Sequence, residues 1–180
     1  MDRVGNILER EGEVLETLLF KLVETRLILE ADEYRFLARA TREVERARTR
    51  AREVGLLRAA TVANIRPGAT LRSLASTAPS PWPGILRDHH QVLCGLLSEI
   101  EVVAHQNAVA ARAGIEAVTL DRTPVNAGGG FDHGSGHGDG GGQRPVRTAE
   151  LDRLARGAAF NSVLGTAARL HMPDLVDFLR

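Results

Sequence analysis

The sequence lacks several features that larger or more elaborate proteins need. It has one cysteine, Cys94, which cannot close an intramolecular disulfide, and only seven aromatic residues among 180. So few aromatics disfavour the thick mixed core of a β-sandwich or a doubly wound enzyme. No apolar run approaches the roughly 18 residues that cross a bilayer, so we expect no membrane insertion. One helical domain with attached segments is the largest architecture that this length supports.

The chain also lacks a net charge, because 23 Lys and Arg balance 23 Asp and Glu. No whole-chain field therefore attracts nucleic acid or anionic lipid. The N-terminus is charged throughout instead of apolar, which favours a cytoplasmic location. Paired catalytic carboxylates, a P-loop and CxxC spacings are missing, and we predict neither an enzyme nor a bound cofactor.

Apolar residues recur at alternating steps of four and three, which is the spacing of helices that pack side by side. The first stripe contains Val4, Leu8, Glu11, Leu15, Leu18, Leu22, Thr25 and Leu29. A second follows from Leu37 to Val54 and a third from Leu86 to Ala110. We predict helices over residues 3–31, 33–63 and 85–118, with Asp32 capping the second and contacts weakening towards the Ala-rich end of the third. Residues 1–120 should form an all-α, antiparallel bundle of long helices or a coiled coil.

The first two predicted helices have opposite charge, with a net charge of −5 over residues 1–33 and +5 over residues 34–58. Pairing within an antiparallel hairpin would explain both runs. The alternative is that the arginines from Arg35 to Arg58 bind nucleic acid, but no aromatic or amide side chains are interleaved with them. Between the second and third predicted helices, Thr70 can cap a short helix. Trp82, in the same connection, should cover one end of the bundle rather than anchor a partner.

Residues 121–147 read as a flexible, Gly-rich linker, and residues 148–180 as a C-terminal amphipathic helical segment. The apolar stripe of this segment changes sides: Leu151 and Leu154 lie on one face, Phe160 and Val163 on nearly the opposite one. The helix should therefore break near Gly157 or pack against other elements on two sides. Pro173 then begins a short helix that becomes ordered only when it docks.

Three constellations could carry chemistry, and each has a simpler interpretation. Gly136, Gly138 and Gly141 match a dinucleotide fingerprint, but no strand precedes them. Metal-ligand atoms occur at Asp132, His133, His137 and Asp139, but a glycine linker does not hold fixed ligand geometry, so no metal is predicted. His90 and Cys94 share a helix face without a third catalytic group.

Two segments resemble a known family. The first is GEVLETLLFKLVETRLILEADEYRFLARATREVERARTRAREV, and the second is AAFNSVLGTAARLHMPDLVDFLR. Together they are similar to the FlgN-type flagellar export chaperones of high-GC bacteria, over residues 1–118 and 148–180. The Gly-rich insert departs from the compact pattern of that family.

The resemblance implies a cytoplasmic helical chaperone that binds the amphipathic C-terminal helices of hook-associated proteins, which form the hook-filament junction. It would prevent their premature assembly and deliver them to the cytoplasmic domain of the type III export gate. The implied partner-binding residues lie in the C-terminal segment: Phe160, Val163, Leu164, Ala167, Leu170, Leu175, Phe178 and Leu179. The spacing of Phe160, Val163, Leu164 and Ala167 independently suits helix-in-groove recognition.

A tethered amphipathic segment could exchange an internal helix for a client helix, so we expect the C-terminal segment to occupy the client groove in the free protein. The chaperone would be a monomer or a weak homodimer. The main alternative is a coiled-coil adaptor or regulatory protein that assembles with itself through the same stripes. The Arg-rich nucleic-acid module is a further alternative.

Overall fold

A computed structural model describes residues 1–120 and 144–180, with side chains described from residue 148 onward in the second range. Within these ranges the chain is all-α and contains no strand. The helices are α1 (Asp2–Glu30), α2 (Leu37–Ile65), α3 (Leu71–Thr77), α4 (Trp82–Leu120), α5 (Arg144–Ala168) and α6 (Pro173–Leu179). The all-α helical bundle is thus confirmed.

The long helices form a four-helix arrangement in the order α1, α2, α5, α4 around the bundle. Lys21 pairs with Glu43 and Glu11 with Arg58, so α1 and α2 run antiparallel. Asn107 of α4 donates a 2.9 Å hydrogen bond to the Leu22 carbonyl of α1, and these two helices are parallel. The bundle therefore contains both antiparallel and parallel neighbours, because α3 carries the chain across one end before α4 begins.

The predicted stripes of α1 and α2 form the inner faces of those helices. Every stripe residue from Val4 to Thr25 and from Leu37 to Val54 is buried. Leu86, Leu93, Ile100 and Asn107 of the third stripe are buried as well. The heptad spacing predicted these faces correctly because residues at alternating steps of four and three lie on one side of a helix.

The prediction that Asp32 caps the second helix is wrong. Asp32 has a positive φ of 53° and follows the C-cap of α1. The Asp32 and Glu33 amides bond the Leu29 and Ile28 carbonyls, which is a Schellman ending. A 3-10 turn over Tyr34–Phe36 then leads into α2, which has no side-chain cap. Asp32 therefore ends one helix instead of starting the next.

Two features near the other end follow the sequence prediction. Thr70 accepts a hydrogen bond from the Ser73 amide and forms a capping box at the start of α3. Trp82 packs against the main core, so close to α1 that a Cβ added at Gly5 would lie 2.9 Å from its ring. A glycine at position 5 thus allows Trp82 to cover the end of the bundle.

The C-terminal segment differs from prediction in three respects. It begins at Arg144, inside the expected linker, and α5 continues without a break through Gly157. The segment does not pack on two sides, since Leu151 and Leu154 are 65% and 64% exposed. The expected weakening of contacts towards the Ala-rich end of α4 is not observed, because α5 packs along it. The rest of the predicted linker, with its glycine fingerprint and the candidate ligands from Asp132 to Asp139, lies outside the described residues.

Candidate partner-binding cleft

The eight predicted partner-binding residues fall into two groups instead of forming one face. Phe160, Val163 and Leu164 join a cluster with Leu37 and Ala111 at one end of the bundle. Leu170, Leu175, Phe178 and Leu179 join the main core towards the other end. Ala167 is half-buried between the two groups and belongs to neither cluster. Because α5 runs along the bundle, its residues and those that follow it reach two different levels of the bundle.

The first group fixes α5 to α4 by a close approach at Gly114. The Phe160 ring lies where any Cβ would be, since a Cβ added at Gly114 would be 2.6 Å from it. Phe160 is 7% exposed and Val163 2% exposed. These side chains are interior packing residues in this state of the protein.

A polar cluster holds the same end of α5 on its other flank. The Tyr34 hydroxyl donates to Asp152, and the Arg156 guanidinium lies 4.3 Å from the Tyr34 ring centroid. Arg156 also pairs with Asp152 at 3.4 Å and with Asp32 at 3.8 Å. All four groups are at least partly exposed, so we expect their ion pairs to contribute little stability.

Leu175 and Phe178 of the second group line a cleft of about 690 Å³ between the α1–α2 hairpin and the returning C-terminal segment. Its floor includes Leu15, Ala51 and Val62, and Met172, Leu175 and Phe178 overhang it. The cleft is mostly apolar with charged side chains at its rim. This composition suits an amphipathic helix, whose apolar face can enter while its polar face stays in water.

One wall of the cleft contains an ion pair that is almost entirely buried. Arg58 Nε lies 3.2 Å from Glu11 Oε2, and both side chains are 2% exposed. Within the described residues neither of these two atoms has a hydrogen bond of good geometry. Removing two charges from water is costly, and imperfect alignment leaves part of that cost uncompensated. The pair is therefore a weak point of the core.

Burial shifts the pKa of each member of this pair towards its neutral form. It raises the pKa of Glu11 above its ordinary 4.5, against the opposing effect of the Arg58 charge. Burial lowers the pKa of Arg58, and the charges of Glu11 and Asp174 oppose that shift. Asp174 belongs to α6, so the docked C-terminal helix contributes to the field around Arg58.

Phe178 completes the cover over this ion pair. Its ring centroid is 4.2 Å from the Arg58 guanidinium carbon. His90 Nε2 lies 2.8 Å from the Leu179 carbonyl at the end of α6. Glu45 accepts a hydrogen bond from Arg169 at 2.7 Å just before α6. The C-terminal end of the chain is thus attached by separate contacts on α2 and α4, besides the packing of α6 on α3.

His90 and Cys94 are brought together loosely, and neither is organised for catalysis. Cys94 is exposed, and its Sγ is 3.8 Å from His90 Nε2, which already faces the Leu179 carbonyl. Among the residues that the structure describes, no group of three His, Cys, Asp or Glu side chains could hold a metal ion. In the same ranges, no helix is long and apolar enough to cross a membrane.

Sequence reasoning missed the pairing of Glu11 with Arg58 and the stacking of Phe178. A signal was present, because Glu11 interrupts the apolar stripe of α1 and Arg58 falls at the next step after Val54 in the stripe of α2. A charged residue on each inner face of one hairpin suggests a buried pair. Nothing in the spacing indicates that a ring from the far end of the chain covers it.

Comparisons with known proteins do not extend this description. No family model, curated protein or solved structure matches the chain.

Proposed function

We propose that this chain is a flagellar type III export chaperone of the FlgN type, acting in the cytoplasm. It would bind the amphipathic C-terminal helices of hook-filament junction proteins, keep them from assembling early and present them to the cytoplasmic domain of the export gate. The resemblance of residues 1–118 and 148–180 motivates this proposal. No catalytic step is required for it.

The observation that carries the proposal is that an amphipathic helix from the chain's own C-terminus covers the cleft. With seven residues, α6 is too short to be stable alone, so its order depends on docking. Its anchors are Leu175, Phe178 and Leu179, which a client helix with the same kinds of side chain could replace. Exchange of one helix for the other leaves the buried apolar area nearly unchanged, and the net cost is therefore small.

In this proposal the predicted residues have two roles. Leu175 and Phe178 line the cleft, and Leu170 and Leu179 pack into the main core. All four would be displaced by a client. Phe160, Val163 and Leu164 would keep α5 on the bundle during that exchange, because Phe160 is locked against Gly114. In this proposal the first group anchors the tail and the second group regulates access.

The experiment measures binding of a labelled peptide from the C-terminal helix of a junction protein to the full chain. Phe178→Ala should loosen α6 by about 1 kcal/mol and raise the apparent client affinity about fivefold, since the competing state is depopulated. Leu151→Ala is the matched control, because it truncates an exposed apolar residue away from the cleft. It should leave the affinity unchanged.

Two outcomes separate the parts of the proposal. Failure of every variant to bind any junction-protein helix would reject the chaperone function. Equal client affinity of the wild type and Phe178→Ala would reject competition between α6 and the client. The client would then bind at another surface of the bundle. A pull-down of the full chain from a flagellated host lysate should recover junction proteins.

A further inference from the structure

The first helix carries a second stripe with coiled-coil spacing, on its solvent side. We call it the acidic-apolar stripe; it contains Glu9, Glu13, Glu16, Phe20, Val23 and Leu27, all exposed. Its steps alternate between four and three, as in the inner stripe. Phe20 is 63% exposed and Leu27 59% exposed. A row of large exposed apolar residues at helix-packing spacing indicates a surface for another helix.

The second helix carries a complementary surface, which we call the arginine ridge. It consists of Arg42, Arg46 and Arg50, followed by the exposed Leu56 and Ala60. In the described ranges none of the three arginines forms an ion pair, although α1 lies beside them and is acidic. The hairpin is joined instead by Lys21 with Glu43 and by Glu11 with Arg58. The expected pairing of the two charge runs within one chain is therefore mostly unused.

The two surfaces match when two helices are placed parallel with a fixed shift along the sequence. That shift places Glu9 at the level of Arg42, Glu13 at Arg46, Val23 at Leu56 and Leu27 at Ala60. Between these levels Glu16 lies at Thr49 and Phe20 at Glu53. The opposite orientation would place the three glutamates at the apolar end of the ridge. The charged ends and the apolar ends of the two surfaces thus match in the parallel orientation.

We propose that the acidic-apolar stripe of one copy packs in parallel on the arginine ridge of a second copy. A nucleic acid could bind the arginines, but it would leave the apolar ends of the two surfaces uncovered. A second copy would contact both the charged and the apolar ends. The contact is heterologous, since two different surfaces meet, and each copy keeps one surface free for a further neighbour. This proposal does not depend on the cleft or on a client.

The test is sedimentation velocity of the full chain at several concentrations and low ionic strength. We expect the average mass to rise above the 19.5 kDa of one chain with concentration. It should return towards one chain in about 0.5 M salt, where exposed ion pairs are screened. Arg42→Glu with Arg46→Glu, and separately Glu9→Arg with Glu13→Arg, should each remain at the mass of one chain.

A mixture of the two variants distinguishes the proposed contact from others. The first variant keeps its stripe and the second keeps its ridge, and the two charge-reversed surfaces are complementary to each other as well. An equimolar mixture should therefore assemble, although neither variant does so alone. Arg3→Glu with Arg10→Glu is the control, because these exposed arginines of α1 lie outside the stripe. It should assemble like wild type. Circular dichroism should show equal helicity in all variants.

Three results would overturn the proposal. One is a wild-type chain that stays at the mass of one copy at every concentration and low salt. Another is a mixture of the two variants that forms no dimer. The third is a duplex or single-stranded nucleic acid that binds the wild type and the Glu9→Arg, Glu13→Arg variant equally while neither protein self-associates, which would assign the ridge to nucleic acid.

Discussion

The inner faces of α1, α2 and α4 and the buried face of α5 are built in different ways. The three earlier helices contribute rows of Leu, Val, Ile and Ala whose side chains are almost completely covered. The C-terminal segment contributes Phe160 and Val163 to a separate cluster and Leu170, Leu175 and Leu179 to the main core. An ion pair of Arg169 with Glu45 also attaches the segment to α2. The first region is a continuous core and the second is an attached cover. We therefore expect changes in the first to unfold the protein and changes in the second to open it locally.

The largest effect should come from truncating a fully buried leucine of the continuous core. Leu18→Ala is expected to lower the free energy of unfolding by about 3 to 5 kcal/mol, because it removes buried methyl groups and leaves a cavity. Urea unfolding followed by circular dichroism measures this. Val163→Ala is the companion change in the cover. A global loss of equal size for Val163→Ala would contradict the distinction between the two regions.

The buried ion pair should give a smaller, pH-dependent effect. Arg58→Met leaves Glu11 buried without its counter-charge and should cost about 3 kcal/mol at pH 7. The folded-state pKa of Glu11 is already raised, and losing Arg58 raises it further. The lost stability should therefore be partly recovered at pH 5, where protonation of Glu11 favours the folded state.

The control for this prediction is Glu11→Gln combined with Arg58→Met. Without the titrating carboxyl, the free energy of unfolding should depend less on pH between 5 and 7 than in the single variant. Identical pH dependence in the single and double variants would show that Glu11 is not the responsible group.

A substitution at the close contact between α5 and α4 tests whether the C-terminal segment opens locally. Gly114→Ala places a methyl group against the Phe160 ring and should weaken α5 docking by about 1 to 2 kcal/mol. Hydrogen exchange of α5 amides should become faster while the amides of α1 stay protected. Phe160→Ala should itself speed exchange in α5, because the anchoring ring is lost. Adding Gly114→Ala to that variant should change exchange little, because the added methyl then has room. Uniformly faster exchange in α1 would place Gly114 in the continuous core.

The smallest effect concerns an exposed charge cluster on the α1–α2 hairpin. Hydrogen bonds from Lys21 and then Arg39 lower the pKa of Glu43 from 4.5 to about 2. A lowered folded-state pKa stabilises the protein above pH 4.5, and this contribution is lost as the pH falls towards 2. Glu43→Gln should flatten acid unfolding over that interval, measured by fluorescence of Trp82. An unchanged acid transition would show that the cluster is screened by solvent.

The difference between the two regions also explains which predictions from sequence succeeded. The inner faces of α1, α2 and α4 followed from spacing, since each helix has one long, mainly apolar stripe at alternating steps of four and three. In α5 the sequence offers two apolar faces, Leu151 with Leu154 and Phe160 with Val163. Only the second is buried, because Gly114 leaves room for the Phe160 ring on the facing helix. No property of α5 by itself selects between them.

Local geometry at Asp32 shows the same limit on a smaller scale. Asp is a favourable residue both for starting a helix and, with its tolerance of positive φ, for the turn that ends one. The chain uses the second option, because the Schellman bonds of α1 satisfy its last carbonyls and a 3-10 turn redirects the backbone towards α2.

The sequence by itself determined that residues 1–120 form long helices and which side of each faces inward, because helical periodicity is a local property that neighbouring residues impose. Only the tertiary structure decided that Glu11 meets Arg58, that Phe178 covers them and that α5 buries its Phe160 face. Those outcomes depend on contacts between residues distant in the chain. The shape and charge of one helix determine which face of its neighbour is buried, and the neighbour's own sequence does not determine this.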